Sequence, residues 1–243
     1  PSLLQPLGTD LLGRPFWARC ALGGLISLGV GLAAAAISVL IGTAWGAVAA
    51  LAGGRVDAVM MRLVDILYGL PYILLVILIT MAFGPALQRW CSSTTANVII
   101  LFVAIGAVSW LTMARVIRGQ VLSLKAQPFV EAARAAGAGP ASILWRHMMP
   151  NLLGPILVYA TLTVPQAILQ ESFLSFLGIG IQPPLPSWGN LAAEGVAAIN
   201  NVKSFWWLIL FPCLLLSLTL LSLNFIGDGL RDAFDPRPST SFA

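Results

Sequence analysis

Between Cys20 and Gly54 the chain carries no charged residue. About 20 mostly apolar residues suffice for a helix to cross a bilayer, so this run spans with length to spare. A backbone in hydrocarbon must also close its own hydrogen bonds, which removes most soluble architectures. Four further runs follow: Ile66–Gln88, interrupted by Pro71; Asn97–Ala114, with helix expected to continue to about Lys125; Asn151 to about Leu177, holding Pro155 and Pro165; and Ser204–Gly227. Of the 243 residues 58% are hydrophobic and 9% charged, against about 25% charged in soluble domains. The fold expected is an all-α polytopic membrane protein with five spans, its proline-bearing helices kinked around a cavity.

The first run has small residues at four-residue spacing: Ala34, Ser38, Gly42, Gly46 and Ala50. They share one helical face, and such a face lets another helix approach closely. An Ala/Gly-rich helix can also show the pattern by coincidence. In both cases it concerns packing, not chemistry.

Lysine and arginine positions predict orientation. Alternating the run ends puts Arg55, Arg62, Arg115, Arg118, Lys125, Arg134, Arg146, Arg231 and Arg237 on one side. Arg14, Arg19, Arg89 and Lys203 fall on the other. Nine against four assigns the first set to the cytoplasm. Residues 1–19 then form an external N-terminal segment, 20–227 the transmembrane domain and 228–243 a cytoplasmic tail. Trp17, Trp90, Trp188, Trp206 and Trp207 fall near the outer interface, where amphipathic rings are expected. The chain opens on Pro1 without a signal-peptide pattern, as a truncated or processed N-terminus would.

The net charge of +4 is scattered at run ends, with no basic stripe interleaved with aromatics, so no nucleic-acid partner is expected. Three cysteines without CxxC spacing and a single histidine predict neither a disulfide framework nor a metal site. No HExxH, GxSxG or phosphate-loop pattern occurs, so no catalytic residues are assigned and ATP hydrolysis by this chain is not expected. Glu171, within a span, is either functional by default or a structural acid bonded to backbone or to a hydroxyl such as Ser172 or Ser175. Asp65 is expected to pair locally with Arg62. His147 has no visible partner, which favours packing or an interface over a pH sensor.

Two connections are long. The external one, 178–203, holds Pro183, Pro184 and Pro186, which forbid helix at its start. Ser187 then suits the cap of a short helix from about Trp188 to Asn200. The cytoplasmic one contains "FVEAARAAGAGPASILWRHMMP", Phe129–Pro150. Pro128 suits a helix start, Gly137, Gly139 and Pro140 break the helix, and a second short helix is expected from about Ala141 to His147. Its alanines give a thin helix that loses little side-chain entropy on docking. A solvated loop is the alternative.

"EAARAAG" (Glu131–Gly137), followed by Ile143, His147 and Pro150, resembles the EAA loop of binding-protein-dependent ABC importer permeases. "LGTDLLGR" (Leu7–Arg14), "GGRVD" (Gly53–Asp57), "ARVIRGQVLSLK" (Ala114–Lys125), "ESFLSFLGIGIQPPLPSWG" (Glu171–Gly189) and "NFIGDGLRDAFDPR" (Asn224–Arg237) resemble the dipeptide/oligopeptide/nickel permease branch, in order, across nearly the whole chain. "FVAIGAVSWLTMARVIRGQ" (Phe102–Gln120) is most similar to the second oligopeptide permease subunit. The resemblance implies a type I ABC importer (MetI-like) transmembrane domain in a bacterial inner membrane, lacking the family's first span. Pro15 stands where the family commonly has Asp.

The resemblance further implies a second homologous permease subunit, two ATPase subunits carrying ATP and Mg, and an extracytoplasmic substrate-binding protein delivering peptide. The loop at 126–150 would be the coupling segment, with Phe129, Glu131, Ala132, Ala133, Arg134, Gly137, Ala138 and His147 meeting the ATPase. Oligopeptides lead as substrate; dipeptides, glutathione, nickel chelates and antimicrobial peptides stay open. Polar residues in the spans, Ser109, Thr112, Gln166, Gln170 and Glu171, are the candidates for the translocation pathway. An ion-coupled transporter would want paired intramembrane acids or an inverted repeat, and an intramembrane enzyme a nucleophile and base on adjacent spans; neither pattern is seen.

Overall fold

The computed structural model describes residues 7–199 and 205–234. Expectations for Asn200, Lys203, Ser204, Arg237 and the tail beyond 234 lie outside the described residues. Within them the regular elements are helices: α1 (Phe16–Ala52), α2 (Gly54–Tyr68), α3 (Tyr72–Leu87), α4 (Ser93–Lys125), α5 (Pro128–Ala135), α6 (Pro140–Ser142), a π-helical turn (Ile143–Met148), α7 (Met149–Phe176), α8 (Trp188–Ala197) and α9 (Trp207–Phe234). Four continuous helical stretches are long and apolar enough to cross a membrane: Phe16–Ala52, Ser93–Lys125, Pro140–Phe176 and Trp207–Phe234. The bent pair α2–α3 makes a fifth if it counts as one span.

The centre of the fold is α1, and its small residues explain why. Ala34, Ser38, Gly42, Gly46 and Ala50 are all buried, and α4 lies against them. A Cβ added at Gly42 would sit 2.5 Å from Met113 Cβ and 2.9 Å from the Trp110 carbonyl oxygen, so the backbones are in near contact. Ser38 Oγ donates to the Ser109 carbonyl at 3.1 Å across the same seam. The adjoining face of α1 receives α7, where a Cβ at Gly31 would meet Ile168 at 2.7 Å. Dispersion summed over such close contacts stabilises helix pairs when lipid supplies no hydrophobic drive between them.

Several expectations change. Ile66–Gln88 is interrupted at Pro71 as expected, but the break is a sharp corner and not a kink within one helix. Ile66–Tyr68 close α2, α3 begins at Tyr72, and the two axes differ by 95°. Pro71 cannot donate a helical hydrogen bond, and its ring drives Leu70 out of the helical region. The segment Ala141–His147 is not a separate helix either. From Pro140 to Phe176 the chain is continuous, and the turn before Pro150 widens to π spacing, which relieves the clash a proline ring makes with the carbonyl four residues earlier. Asp65 pairs not with Arg62 but with Arg115 Nη2, at 2.8 Å. That guanidinium also stacks 4.0 Å from the Tyr68 ring centre, so two favourable contacts outcompete one local pair. Trp188 is buried and donates from Nε1 to the Cys20 carbonyl at 3.1 Å, so it packs inside the protein. Trp17, Trp90 and Trp206 are exposed.

Candidate docking helix and membrane cavity

The segment α5 is built by its caps. Pro128 opens it at a position where its missing N–H costs nothing. At the other end the Gly137 amide donates to the Arg134 carbonyl at 2.9 Å and the Ala138 amide to the Ala133 carbonyl at 3.0 Å, a paired closure that needs a left-handed residue between. Gly137 supplies it with φ of 84°. A Cβ there would meet no atom within 4 Å, so glycine is required for its torsion and not for space. One side chain of α5, Val130, is fully buried, in a cluster with Ile117, Val121, Ile143 and Met148. Ala133 and Ala138 pack at its edge. Phe129, Glu131, Ala132, Arg134 and Gly137 are exposed, and His147 is half-buried. The helix is thus pinned along one side, at Val130 and Ala133, and open along the rest.

The end of the bundle nearby is basic and braced. Arg118 grips Asp57 with two bonds, Nε to Oδ1 at 2.6 Å and Nη2 to Oδ2 at 2.7 Å. Lys125 Nζ donates to the Ala50 carbonyl at 2.8 Å, so a cation meets the carbonyl-rich end of α1. Arg231 lines a crevice with Gln120, Gly154 and Phe234, which brings the end of α9 to α4 and the start of α7.

Of the five pathway candidates, four meet in one place. Ser109 and Thr112 of α4 and Gln166 and Gln170 of α7 line a cavity of about 340 Å³ at the α2–α3 bend, with Tyr68, Tyr72 and Thr163. The bend opens the space, because α2 leaves the wall that α3 would otherwise continue. Tyr72 was not among the residues expected there; a tyrosine after proline at the edge of an apolar run carries no signal that separates it from an interfacial ring.

Glu171 lies elsewhere. Its side chain is fully buried and accepts from Ser27 Oγ at 2.8 Å, Ser175 Oγ at 2.6 Å and Ser172 Oγ at 3.4 Å. Ser175 Oγ in turn accepts the Ile181 amide at 2.9 Å. The acid therefore ties α1 and α7 to the chain beyond α7 and does not line the cavity. Ser187 caps α8 with Asn190 answering in a capping box, and Asn190 Nδ2 holds the Ile181 and Leu185 carbonyls.

A second cluster at this end was not anticipated. Asp10 Oδ1 accepts the Leu12 and Arg14 amides at 2.9 and 2.8 Å, and Oδ2 accepts Arg14 Nε at 2.6 Å and Arg19 Nη1 at 3.2 Å. Arg19 also holds Glu194 of α8 at 2.5 and 2.9 Å. Burial works to raise the Asp10 carboxyl, but the Arg14 and Leu12 hydrogen bonds and the Arg14 charge outweigh it and hold the group below its ordinary value.

Residues 23–240 match the family described as the binding-protein-dependent transport system inner membrane component. The chain belongs to this family. It is 49% identical over 230 residues to the oligopeptide transport system permease protein OppC of Haemophilus influenzae, covering 95% of this chain and 70% of that protein. Against OppC of Escherichia coli K12 the identity is 50% over 230 residues, with 95% and 72% covered. Against the dipeptide transport system permease protein DppC of Bacillus subtilis it is 45% over 237 residues, with 98% and 70% covered. An inward-facing structure of the MetNI methionine ABC transporter superposes with a TM-score of 0.69 at 19% identity, over 90% of this chain and 98% of that one. The fold is the type I ABC importer transmembrane domain, and this is an inner-membrane permease subunit.

Proposed function

We propose that this chain is one of two homologous permease subunits of an ATP-driven peptide importer, with oligopeptides as the leading cargo. In this reading α5 and its closing turn dock on a separate ATPase subunit that holds ATP and Mg, and a substrate-binding protein delivers peptide at the opposite face. The observation that carries the docking assignment is α5 itself. It is anchored along one side, by Val130 with Ala133 at the edge, and leaves Glu131 and Arg134 without an ion pair among the described residues. An exposed, thin helix with oriented charges suits a partner surface. The cargo class rests on the relatives, which are named as oligopeptide and dipeptide permeases. The basic end that carries α5 faces the cytoplasm, with the Asp10 cluster outside, and the cavity at the α2–α3 bend forms this subunit's half of the pathway.

The test is peptide-stimulated ATP hydrolysis by the complete importer in proteoliposomes. Glu131→Lys reverses an exposed charge, so insertion and assembly persist while stimulation is lost. Gly137→Val forces a branched residue into a left-handed torsion, whereas Gly137→Asn tolerates it; stimulation falls much further in the valine variant. Full stimulation in both Glu131→Lys and Gly137→Val would remove the docking assignment.

A further inference from the structure

Helix α2 crosses the bundle instead of running along it. Arg115 and Arg118 stand about one turn apart on α4, yet they reach Asp65 at 2.8 Å and Asp57 at 2.6 Å, about two turns apart on α2. At 1.5 Å per residue, a rise of about 5 Å on α4 answers about 12 Å on α2, so α2 lies steeply across α4, in keeping with its 95° corner with α3. The same contacts set its depth. The apolar run Asn97–Ala114 stops where Arg115 begins, so α2 sits at the level where hydrocarbon gives way to water. Trp45 Nε1 donates to the Met60 carbonyl at 3.3 Å and ties it to α1.

The side of α2 turned away from the bundle is apolar. Val64 is fully buried and Asp57 is held by Arg118, whereas Val56, Val59, Leu63 and Ile66 are exposed at 52, 70, 44 and 59%. Steps of three, four and three residues align these four along one helical face. Arg55 and Arg62 stand along one border of that face; both are exposed and form no ion pair among the described residues. An aliphatic stripe edged by free arginines, on a helix lying crosswise at the interface, is the pattern of a segment that rests in a membrane surface. Its apolar side chains enter the tops of the acyl chains, and the arginine stems follow them while the guanidinium heads stay among the headgroups.

We infer that α2 is seated in the cytoplasmic leaflet, with Val56, Val59, Leu63 and Ile66 among the acyl chains and Arg55 and Arg62 on anionic phospholipid headgroups. The leaflet named rests on the orientation read above, which puts the basic end in the cytoplasm. Charge complementarity selects the occupant: a protein covering this stripe would have to bring acids to both arginines, whereas a leaflet with anionic lipid supplies apolar chains and negative charge together. The far end of α2 carries Leu67 and Tyr68 into the wall of the cavity at the α2–α3 bend, so lipid holds one side of that cavity in place.

The experiment uses the complete importer in proteoliposomes, with basal ATP hydrolysis verifying assembly. Cys91→Ser and Cys213→Ser remove the accessible thiols, Cys20 being buried, and a bimane label is placed on Val59→Cys, Ile66→Cys or Ala58→Cys. Phosphatidylcholine or phosphatidylglycerol with a doxyl group high on the acyl chain quenches from the lipid, and iodide quenches from water. The Val59 and Ile66 labels should be quenched by doxyl lipid and little by iodide, and the Ala58 label, on the polar side, by iodide. Doxyl-phosphatidylglycerol should quench the Val59 and Ile66 labels about two- to fivefold more than doxyl-phosphatidylcholine, the scale of one arginine at an anionic surface. That ratio should fall towards one in Arg55→Gln/Arg62→Gln and in about 0.5 M salt. Stripe labels that neither quencher reaches are covered by a protein subunit, and stripe labels quenched mainly by iodide lie in water; each overturns the seat. A ratio near one with both arginines present, or one unchanged by their removal, overturns the headgroup contact. In intact cells Ala58→Cys should escape an impermeant maleimide that labels it once the cells are opened. Labelling in intact cells overturns the orientation read above and the leaflet named here, while the quenching result judges the seat separately.

Discussion

Gly42 offers the sharpest test of how this bundle is held. In Gly42→Ala the new Cβ would lie 2.5 Å from Met113 Cβ, 2.8 Å from Met113 Cγ and 2.9 Å from the Trp110 carbonyl oxygen. Ordinary contact begins near 3.4 Å, so the deficit against Met113 Cβ is about 0.9 Å. Met113 Cγ can rotate away, but Cβ and the Trp110 carbonyl move only with the backbone of α4. The helices must separate, and the seam that holds Ser38, Gly46 and Ala50 loses contact along its length. Overpacking of this kind costs about 1–3 kcal/mol, and the backbone origin of the clash points to the upper part of that range. At about 2–4 °C per kcal/mol for a chain of this size, the midpoint should fall by about 5–10 °C. The assay is thermal unfolding in detergent followed by tryptophan fluorescence, which the Trp45–Trp110 edge contact at 5.1 Å beside the seam should report. Gly119→Ala, on α4 itself, is the control. A Cβ there meets nothing within 4 Å, so the substitution should leave the midpoint unchanged or raise it slightly. If Gly42→Ala unfolds no lower than Gly119→Ala, the close-approach argument is wrong.

Two further outcomes are expected. Because Asp10 is held below its ordinary value, its contribution is complete above the unfolded carboxyl value of about 4 and is lost as pH falls through the lower folded one; the protection of amides 10–14, taken as the exchange rate relative to the intrinsic rate at each pH, should be flat from neutral pH to about 5, fall in stronger acid, and be lower throughout in Asp10→Asn. Glu171→Gln keeps an oxygen for Ser27 or Ser175 and should retain uptake, whereas Glu171→Leu strands buried hydroxyls and should destabilise by about 1–3 kcal/mol in the same unfolding assay; equal behaviour of the two would remove the acid's structural role.

The spans were legible because uncharged length alone forces helix in lipid, and the Ser187 cap because hydroxyl and turn chemistry act within three residues. The α1 stripe was legible as a face, though not as the face that takes α4, since nothing in a small-residue pattern names its partner. Pro71 announced a break but not its 95° angle, which depends on what packs against each side. Asp65 was assigned to Arg62 because sequence shows neighbours; Arg115 reaches it only once α2 and α4 are side by side. Glu171 stood out as an acid in a span, and its partner Ser27 comes from another helix. Tyr72 and the Asp10–Arg19–Glu194 cluster were invisible for the same reason: their meaning lies in groups far away in the chain.

The unbroken run from Pro140 to Phe176 has a mechanical consequence. At 1.5 Å per residue its 37 residues measure about 55 Å, well beyond a hydrocarbon core of about 30 Å. One rod therefore carries the Gly137 turn at one tip and, at the other, the Ser175 hydroxyl that fixes Ile181. A rotation of about 5° about one tip sweeps the other through about 5 Å, lever arithmetic on that helix length. Pro155 and Pro165 are two weak joints in it; if α5 docks on an ATPase as proposed, a stroke entering there is shortened wherever the rod flexes.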